Sequence, residues 1–271
     1  MKNRNKIIAL FAIISIFFTS CEDQLTDIPE NQFSEIQVFS TEEGVETAVN
    51  GMYAQFQGYD YYGARMRLLL WPHSGKYQSK QGANNDANKL DAINTNINLD
   101  KLWRGMWQTI NQINIVIKNA KGNGLKNEAT TLGQAYFLRG VVYFDLVRMF
   151  EEVPIRLVPT TKDDIHIAKS TKEQVYNQVI DDLKKATDLL PDRGEYIAGR
   201  PLKYAANGYL AKVYLTLAGR NSATTNFPNF NSITESEITV ASINNFWEEA
   251  KKELDVVITK GGYSLTSTFA D

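Results

Sequence analysis

Cysteine occurs once in the 271 residues, at Cys21, and histidine twice, at His73 and His166. A lone thiol cannot build an internal disulfide framework, a Cys-rich zinc site or an iron–sulfur cluster, and two distant imidazoles leave little for acid–base work. A positive surplus is also missing: 29 Lys plus Arg face 31 Asp plus Glu, a formal charge of −2. No basic field exists to hold a phosphate backbone by counterion release, so nucleic acid is excluded as a partner. Gly-x-Gly-x-x-Gly, a Walker-type Gly-Lys loop, a Gly-x-Ser-x-Gly elbow and His-Glu-x-x-His are absent, so neither a cofactor nor an enzyme is expected. The acidic pairs Asp163-Asp164, Asp181-Asp182 and Glu248-Glu249 read as solvated helix starts and faces. Asn84, Asp86 and Asn88 alternate like calcium ligands but lack the glycine and closing glutamate of that loop, so no metal site is expected.

What is present begins with Lys2, Arg4 and Lys6, followed by a run from Ile7 to Phe18 that is apolar except for Ser15. That run of 12 is too short to cross a bilayer, which takes about 20 residues. Thr19 and Ser20 then precede Cys21, as in a lipobox, where the leader is cut and the new N-terminal cysteine is acylated. An uncleaved anchor or an ordinary secretory leader shares the first two features; the only cysteine at the cleavage position favours the lipoprotein. Phe18 departs from the smaller aliphatic residue more usual there. Loss of Lys2, Arg4 and Lys6 would leave 26 basic against 31 acidic residues, a formal −5. The expected organisation is a signal peptide over 1–20, an acidic tether over 21–39 and a helical domain over 40–271.

From Ser40 onward the apolar residues recur at helical spacing. Ser40 and Glu43 form a capping-box pattern for a helix to about Gln57 that buries Val45, Ala48, Val49, Met52, Tyr53 and Phe56. A second helix starts near Asp100 and carries Trp103, Met106, Trp107, Ile110, Ile113 and Ile117. A third opens at Asn127, with Leu132, Ala135, Val142, Tyr143, Leu146 and Val147 inward, and breaks at Val153-Pro154. Ser170 and Glu173 suggest another capping box for a fourth, which Pro191 ends. The fifth spans about Pro201 to Leu217, and the sixth about Asn245 to Lys260, with Trp247, Ala250, Leu254, Val257 and Ile258 on one side. Ile155 to Val158 is the one candidate extended piece. The class is all-α, read as degenerate tetratricopeptide-like helix pairs with long inserted loops; unrelated helices in a bundle fit the spacing nearly as well. The sixth helix resembles the first member of a pair without its second, so Leu254 and Val257 should be partly exposed and the fold is expected to be truncated.

Between the first two helices lie about forty residues, where helix–helix loops run roughly 2 to 8. This stretch holds Tyr59, Tyr61, Tyr62, Trp71 and Tyr77, then Gln78, Gln81, Asn84, Asn85, Asp86, Asn88, Asn94, Asn96 and Asn98. Aromatic faces stack on the C–H faces of sugar rings while amides and carboxylates pair with hydroxyls, which is what a glycan site needs. Tyr61, Tyr62 and Trp71 can equally cover the bundle, and Trp103 and Trp107 read as core. The candidate glycan-binding residues are Trp71, Tyr77, Gln81, Asn84, Asn85 and Asp86.

Several motifs in order resemble one family. They are Cys21-Glu22-Asp23 with Leu25 and Pro29; Ala135-Tyr-Phe-Leu-Arg-Gly-Val-Val-Tyr-Phe-Asp-Leu-Val-Arg148 with Val153-Pro154-Ile155; Val175-Tyr176 to Asp181-Asp182-Leu183, Ala186 and Leu190-Pro191; and Gly199-Arg200 with Ala205-Ala206, Leu210-Ala211 and Val213-Tyr214-Leu215. Together they resemble the SusD/RagB family. Glu151-Glu152 stands where that family usually has a glycine-containing turn, and Gly140 where alanine is common. The resemblance implies an outer-membrane lipoprotein of Bacteroidota, lipid-anchored through Cys21 and facing the cell exterior. It would capture glycans and cap a TonB-dependent SusC-like transporter, with no catalytic centre. The family's glycan site maps in part onto roughly Tyr77 to Asp86; members are commonly much longer, so the chain is expected to be an N-terminal portion. The alternative, from another class, is a helical-repeat scaffold for a protein or peptide partner.

Overall fold

A computed structural model of the chain describes residues 35–71, 76, 95–192, 198–223 and 240–263. Cys21, His73, Tyr77, Gln81, Asn84, Asn85, Asp86 and Asn88 lie outside them. The described residues form helices and connections, with no strand among them. In order these are α1 (Glu35–Val38), α2 (Glu42–Phe56), an irregular helical turn (Tyr59–Gly63), α3 (Arg65–Leu70), α4 (Ile97–Ala120), α5 (Glu128–Phe150), α6 (Lys172–Leu189), α7 (Lys203–Ala223) and α8 (Val240–Lys260). The chain is all-α, as expected, and the end of the segment expected as tether is folded: Phe39, just after α1, belongs to the core.

Capping explains where the helices begin, in two cases one residue from the expected position. Thr41, not Ser40, caps α2: its backbone is extended (φ −131°, ψ 152°) and its side chain accepts from the Gly44 N–H. Ser40 Oγ instead donates to Gln37 O at 2.8 Å. For α6 the reciprocal box is Thr171 with Gln174 rather than Ser170 with Glu173. Helix α4 starts at Ile97 because Asn96 Oδ1 accepts from the Asn98 and Leu99 N–H groups at 2.8 and 3.3 Å. Helices α7 and α8 each run beyond the expected Leu217 and Asn245, to Ala223 and from Val240.

Helix α5 is the middle of the molecule. Its residues Leu138 to Val147 are all buried, Arg139 and Asp145 included, because α4 covers one side and α6 the other, with α2 and α7 adding further contacts. A helix apolar on nearly its whole circumference requires such enclosure. Each large side chain here, such as Phe144 or Leu146, contributes about 1.5–3 kcal/mol by leaving water. Register shows that neighbours run antiparallel. Trp103 meets Phe150 and Trp107 meets Tyr143 across α4 and α5. Across α5 and α6, Gly133 faces Leu190 and Gly140 faces Leu183, where a Cβ would come within 3.0 Å of the leucine in each case. Tyr214 stacks near Phe246 and Asn207 bonds Glu253 across α7 and α8. Consecutive antiparallel packing of this kind is the tetratricopeptide-like arrangement. Trp103 and Trp107 lie half-buried against the core.

The outer helix buries only part of its apolar side, and Leu254 and Val257 are partly exposed as expected. Ala250 is buried, but Trp247, Leu254 and Ile258 remain exposed and Val257 is half-buried, because α8 packs chiefly on α7 among the described elements.

One buried cation ties the middle together. Arg139 on α5 donates from Nε and Nη2 to both oxygens of Asp182 on α6, at 2.8 and 2.7 Å. Its Nη1 donates to Asn114 Oδ1 on α4 at 2.9 Å. Asp182, expected on a solvated face, is therefore fully buried. Burial opposes the Arg139 charge, but the Asp182 carboxylate and its hydrogen bonds outweigh it and raise the guanidinium pKa. Asn114 Nδ2 in turn donates to Arg156 O and Val158 O, both at 3.1 Å. Tyr143 Oη donates to Arg156 O at 2.9 Å and accepts from Arg156 N–H at 2.7 Å. Burial pushes this phenol up to about 12. The connection 151–171 is thus held against α4 and α5 at 156–158, and the piece expected over Ile155 to Val158 forms no strand.

Within that connection Glu151 has φ +62°, the only left-handed non-glycine φ among the described residues. It belongs to the Glu151-Glu152 pair, where the resemblance leads one to expect a glycine-containing turn. The Glu151 carboxylate pairs with Lys172 at 2.9 Å at the surface, worth about 0–1 kcal/mol. Glu151→Gly is expected to stabilise the chain by about 1 kcal/mol in urea titration, since relief of the backbone exceeds the lost pair. Asp182→Ala, which leaves Arg139 buried without its anion, is expected to cost about 3–5 kcal/mol. The double variant Arg139→Met/Asp182→Leu should recover most of that loss, and additive losses in the same titration would contradict the pair's role.

Candidate functional site

The stretch between α2 and α4 is structured at its near end, and this decides which aromatics face water. Tyr61 leaves the helical conformation (φ −126°, ψ −114°), which lets the chain double back onto the bundle. Phe56 stacks on Tyr62 at 4.6 Å and meets Tyr61 edge-on at 5.1 Å. Tyr61 Oη and Tyr62 Oη both donate to Asp145 Oδ2 on α5, at 2.7 and 2.8 Å, and Arg148 donates to the other oxygen. Gly105 on α4 is required here, since a Cβ would lie 2.8 Å from the Asp60 carbonyl. Tyr61 and Tyr62 are consequently anchors of the fold, and only the other readings of this stretch stay open for a ligand.

Helix α3 follows from that anchor. Met66 is buried beneath it. Arg65 Nε pairs with Asp60 at 3.3 Å, its Nη1 bonds Asn98 at the start of α4, and its guanidinium lies 4.9 Å over the exposed Tyr59 ring. Arg67 faces solvent, donates to Gly63 O, and lies 5.4 Å over the Trp71 ring. Trp71 caps α3 and is 48% exposed. The result is a surface of flat rings and guanidinium groups, held by polar contacts to α4 and α5, that can offer stacking and hydrogen bonding to a sugar.

Of the candidate residues, Trp71 is on this surface; Tyr77, Gln81, Asn84, Asn85 and Asp86 lie outside the described residues. Arg65 and Arg67 were not among the candidates, although the spacing of Arg67 and Trp71, four apart on a helix, carries the signal. His166 lies exposed in the connection 151–171. No cluster of three or more metal-ligating side chains occurs among the described residues. No described helix is long and apolar enough to cross a membrane.

The fold and surface define a helical-repeat platform that presents aromatic side chains. The chain belongs to the SusD-like family: the family model described as "Starch-binding associating with outer membrane" matches residues 23–215. It is 29% identical over 217 residues to SusD-like protein P2 of Formosa agariphila, covering 76% of this chain and 42% of that protein. It is 26% identical over 236 residues to a SusD-like protein of Bacteroides ovatus, covering 83% of this chain and 41% of the other. A crystal structure of a SusD superfamily protein from Bacteroides vulgatus superposes with a TM-score of 0.66 at 20% identity, over 85% of this chain and 46% of that one. A crystal structure with xylogluco-oligosaccharide superposes with a TM-score of 0.66 at 21% identity, over 83% and 42%. The chain thus spans less than half the length of these relatives.

Burial, and then the Asp145 carboxylate, raise the pKa of Tyr61 and Tyr62 above the ordinary phenol value. In the unfolded chain these phenols ionise near pH 10, so the stabilisation they provide is complete below about pH 10 and is lost above it. Each contributes a loss of about 1.4 kcal/mol per pH unit until its folded pKa is reached. Tyr62→Phe is expected to lower stability by about 1 kcal/mol near pH 8 and to make the decline above pH 10 shallower, read by urea midpoints across that range.

Proposed function

We propose that the protein is a cell-surface glycan-binding lipoprotein that captures oligosaccharides or polysaccharides and delivers them to a TonB-dependent SusC-like transporter in the outer membrane. The observation that carries the reading is Trp71, exposed at the end of α3, as Tyr59 is before it, while Tyr61 and Tyr62 are pinned inward. Trp71 would provide the stacking face, and Tyr77, Gln81, Asn84, Asn85 and Asp86, which follow it in the chain, the hydroxyl contacts. Acylated Cys21 would hold the protein at the membrane, with the residues before α1 as tether, and binding rather than catalysis is its role. The family description and the relative crystallised with xylogluco-oligosaccharide support this reading.

A second reading, a scaffold for a protein partner, is favoured by the connection 151–171. Leu157, Val158, Ile165 and Ile167 are all exposed there. The segment is nonetheless fixed, with Arg156 bonding Asp164 and the Ile165 carbonyl. Rigid exposed aliphatics of this kind suit a protein interface.

Affinity-gel retardation against a polysaccharide panel tests the first reading. Trp71→Ala should weaken retention by roughly tenfold or more, as expected for loss of one stacking face, with Tyr77→Ala and Asn85→Ala also weakening it. Retention of no polysaccharide, together with co-purification of a barrel transporter that Leu157→Asp abolishes, would favour the scaffold. Cys21→Ser should move the protein from the membrane to the soluble fraction.

A further inference from the structure

Seven arginines have described side chains, and six of them meet a carboxylate. Arg65 pairs with Asp60 at 3.3 Å, Arg104 with Asp100 at 3.0 Å and Arg139 with Asp182 at 2.7 Å. Arg148 pairs with Asp145, Arg156 with Asp164 at 3.0 Å and Arg200 with Glu46 at 2.7 Å. The seventh is Arg67. Among the described residues it makes no ion pair; its Nη2 bonds the Gly63 carbonyl and its guanidinium lies over the Trp71 ring. In a chain with more acidic than basic residues, the one arginine that has no anion among the described residues is the one beside the exposed indole.

That juxtaposition has a chemical meaning. A guanidinium presents parallel N–H donors that match a carboxylate or a sulfate, and Nε and Nη1 of Arg67 bond nothing among the described residues. An indole offers a stacking face to a pyranose ring. The overall negative charge gives no general attraction for anions, so any preference for them must come from a local cation. We propose that the glycan taken by this surface is anionic, carrying a carboxylate or sulfate group that pairs with Arg67 while its sugar ring stacks on Trp71. This rests on the glycan reading above and narrows it to a class of substrate. Arg65, already committed to Asp60 and Asn98, holds α3 in place and does not serve the anion.

The test uses the chain in affinity-gel retardation and titration calorimetry with matched pairs: polygalacturonate against its methyl ester, and a sulfated galactan against its desulfated form. The anionic member of at least one pair should bind more tightly, and which pair responds separates carboxylate from sulfate. Arg67→Gln should weaken that binding about tenfold and binding of the neutral member several-fold less, and Arg67→Lys should restore part of it, since the charge returns without the fork. Added salt should weaken the anionic member selectively. Arg67 is exposed, and an unchanged circular dichroism spectrum verifies that Arg67→Gln is folded. Equal binding of both members, with loss only on Trp71→Ala, would overturn the inference and leave the glycan reading standing. Binding to no polysaccharide by the unaltered chain would overturn both.

Discussion

Arg139 is the interaction on which the other contacts of the platform depend. A guanidinium buried at the centre of α5 would be strongly unfavourable alone, and it is tolerated because each of its nitrogens has a partner: Asp182 on α6 takes two and Asn114 on α4 a third. The pair fixes the rotation of three helices about their axes, since a turn of any of them would strand a charge in the core. Apolar packing alone would not do this, because α5 is greasy on nearly every side and could satisfy its burial in several rotations. Asn114 extends the constraint outward, since the amide that accepts from Arg139 also donates to the carbonyls of Arg156 and Val158.

A second polar pin, on the same helix, does the equivalent work for the surface that carries Trp71. Asp145 collects Tyr61, Tyr62 and Arg148, and so holds the turn after α2 against α5. The two pins lie six residues apart on α5 and serve different neighbours. Arg139 aligns the helical layers, whereas Asp145 fastens the segment from which α3 and Trp71 emerge. Gly105 completes that attachment by letting α4 approach the Asp60 backbone more closely than any side chain permits.

Much of this fold was legible in the sequence because helix periodicity and capping are local signals. The six long helices lie where the apolar stripes place them, with starts displaced by one to a few residues where Thr41, Thr171 or Asn96 outcompeted a neighbour for the cap. The buried pins were not legible. Asp182 sits beside Asp181 and looks like half of a solvated acidic pair; nothing within a few residues indicates that Arg139, 43 positions earlier, neutralises it. The same holds for Tyr61 and Tyr62, whose spacing in a polar, aromatic connection gives no hint of Asp145, 84 and 83 positions later. Of the candidate site, Trp71 could be recognised as an aromatic near a long connection, but its guanidinium neighbour required the helical register of α3.

The departures from family pattern can be judged by what they touch. Gly140, where alanine is common, faces Leu183 across the α5 and α6 interface, where a Cβ would lie 3.0 Å from the leucine Cγ. The missing methyl lets α6 sit close beside the Arg139 pair, so the glycine is matched to its surroundings. Glu151 is not matched in this way: its backbone adopts a conformation that L side chains disfavour, and its own exposed carboxylate gains only a surface ion pair with Lys172. The first change is absorbed by packing and the second is borne by the backbone. The position that bears strain opens the connection with exposed Leu157, Val158, Ile165 and Ile167, so it lies where the chain turns from its helical core toward a surface suited to a partner.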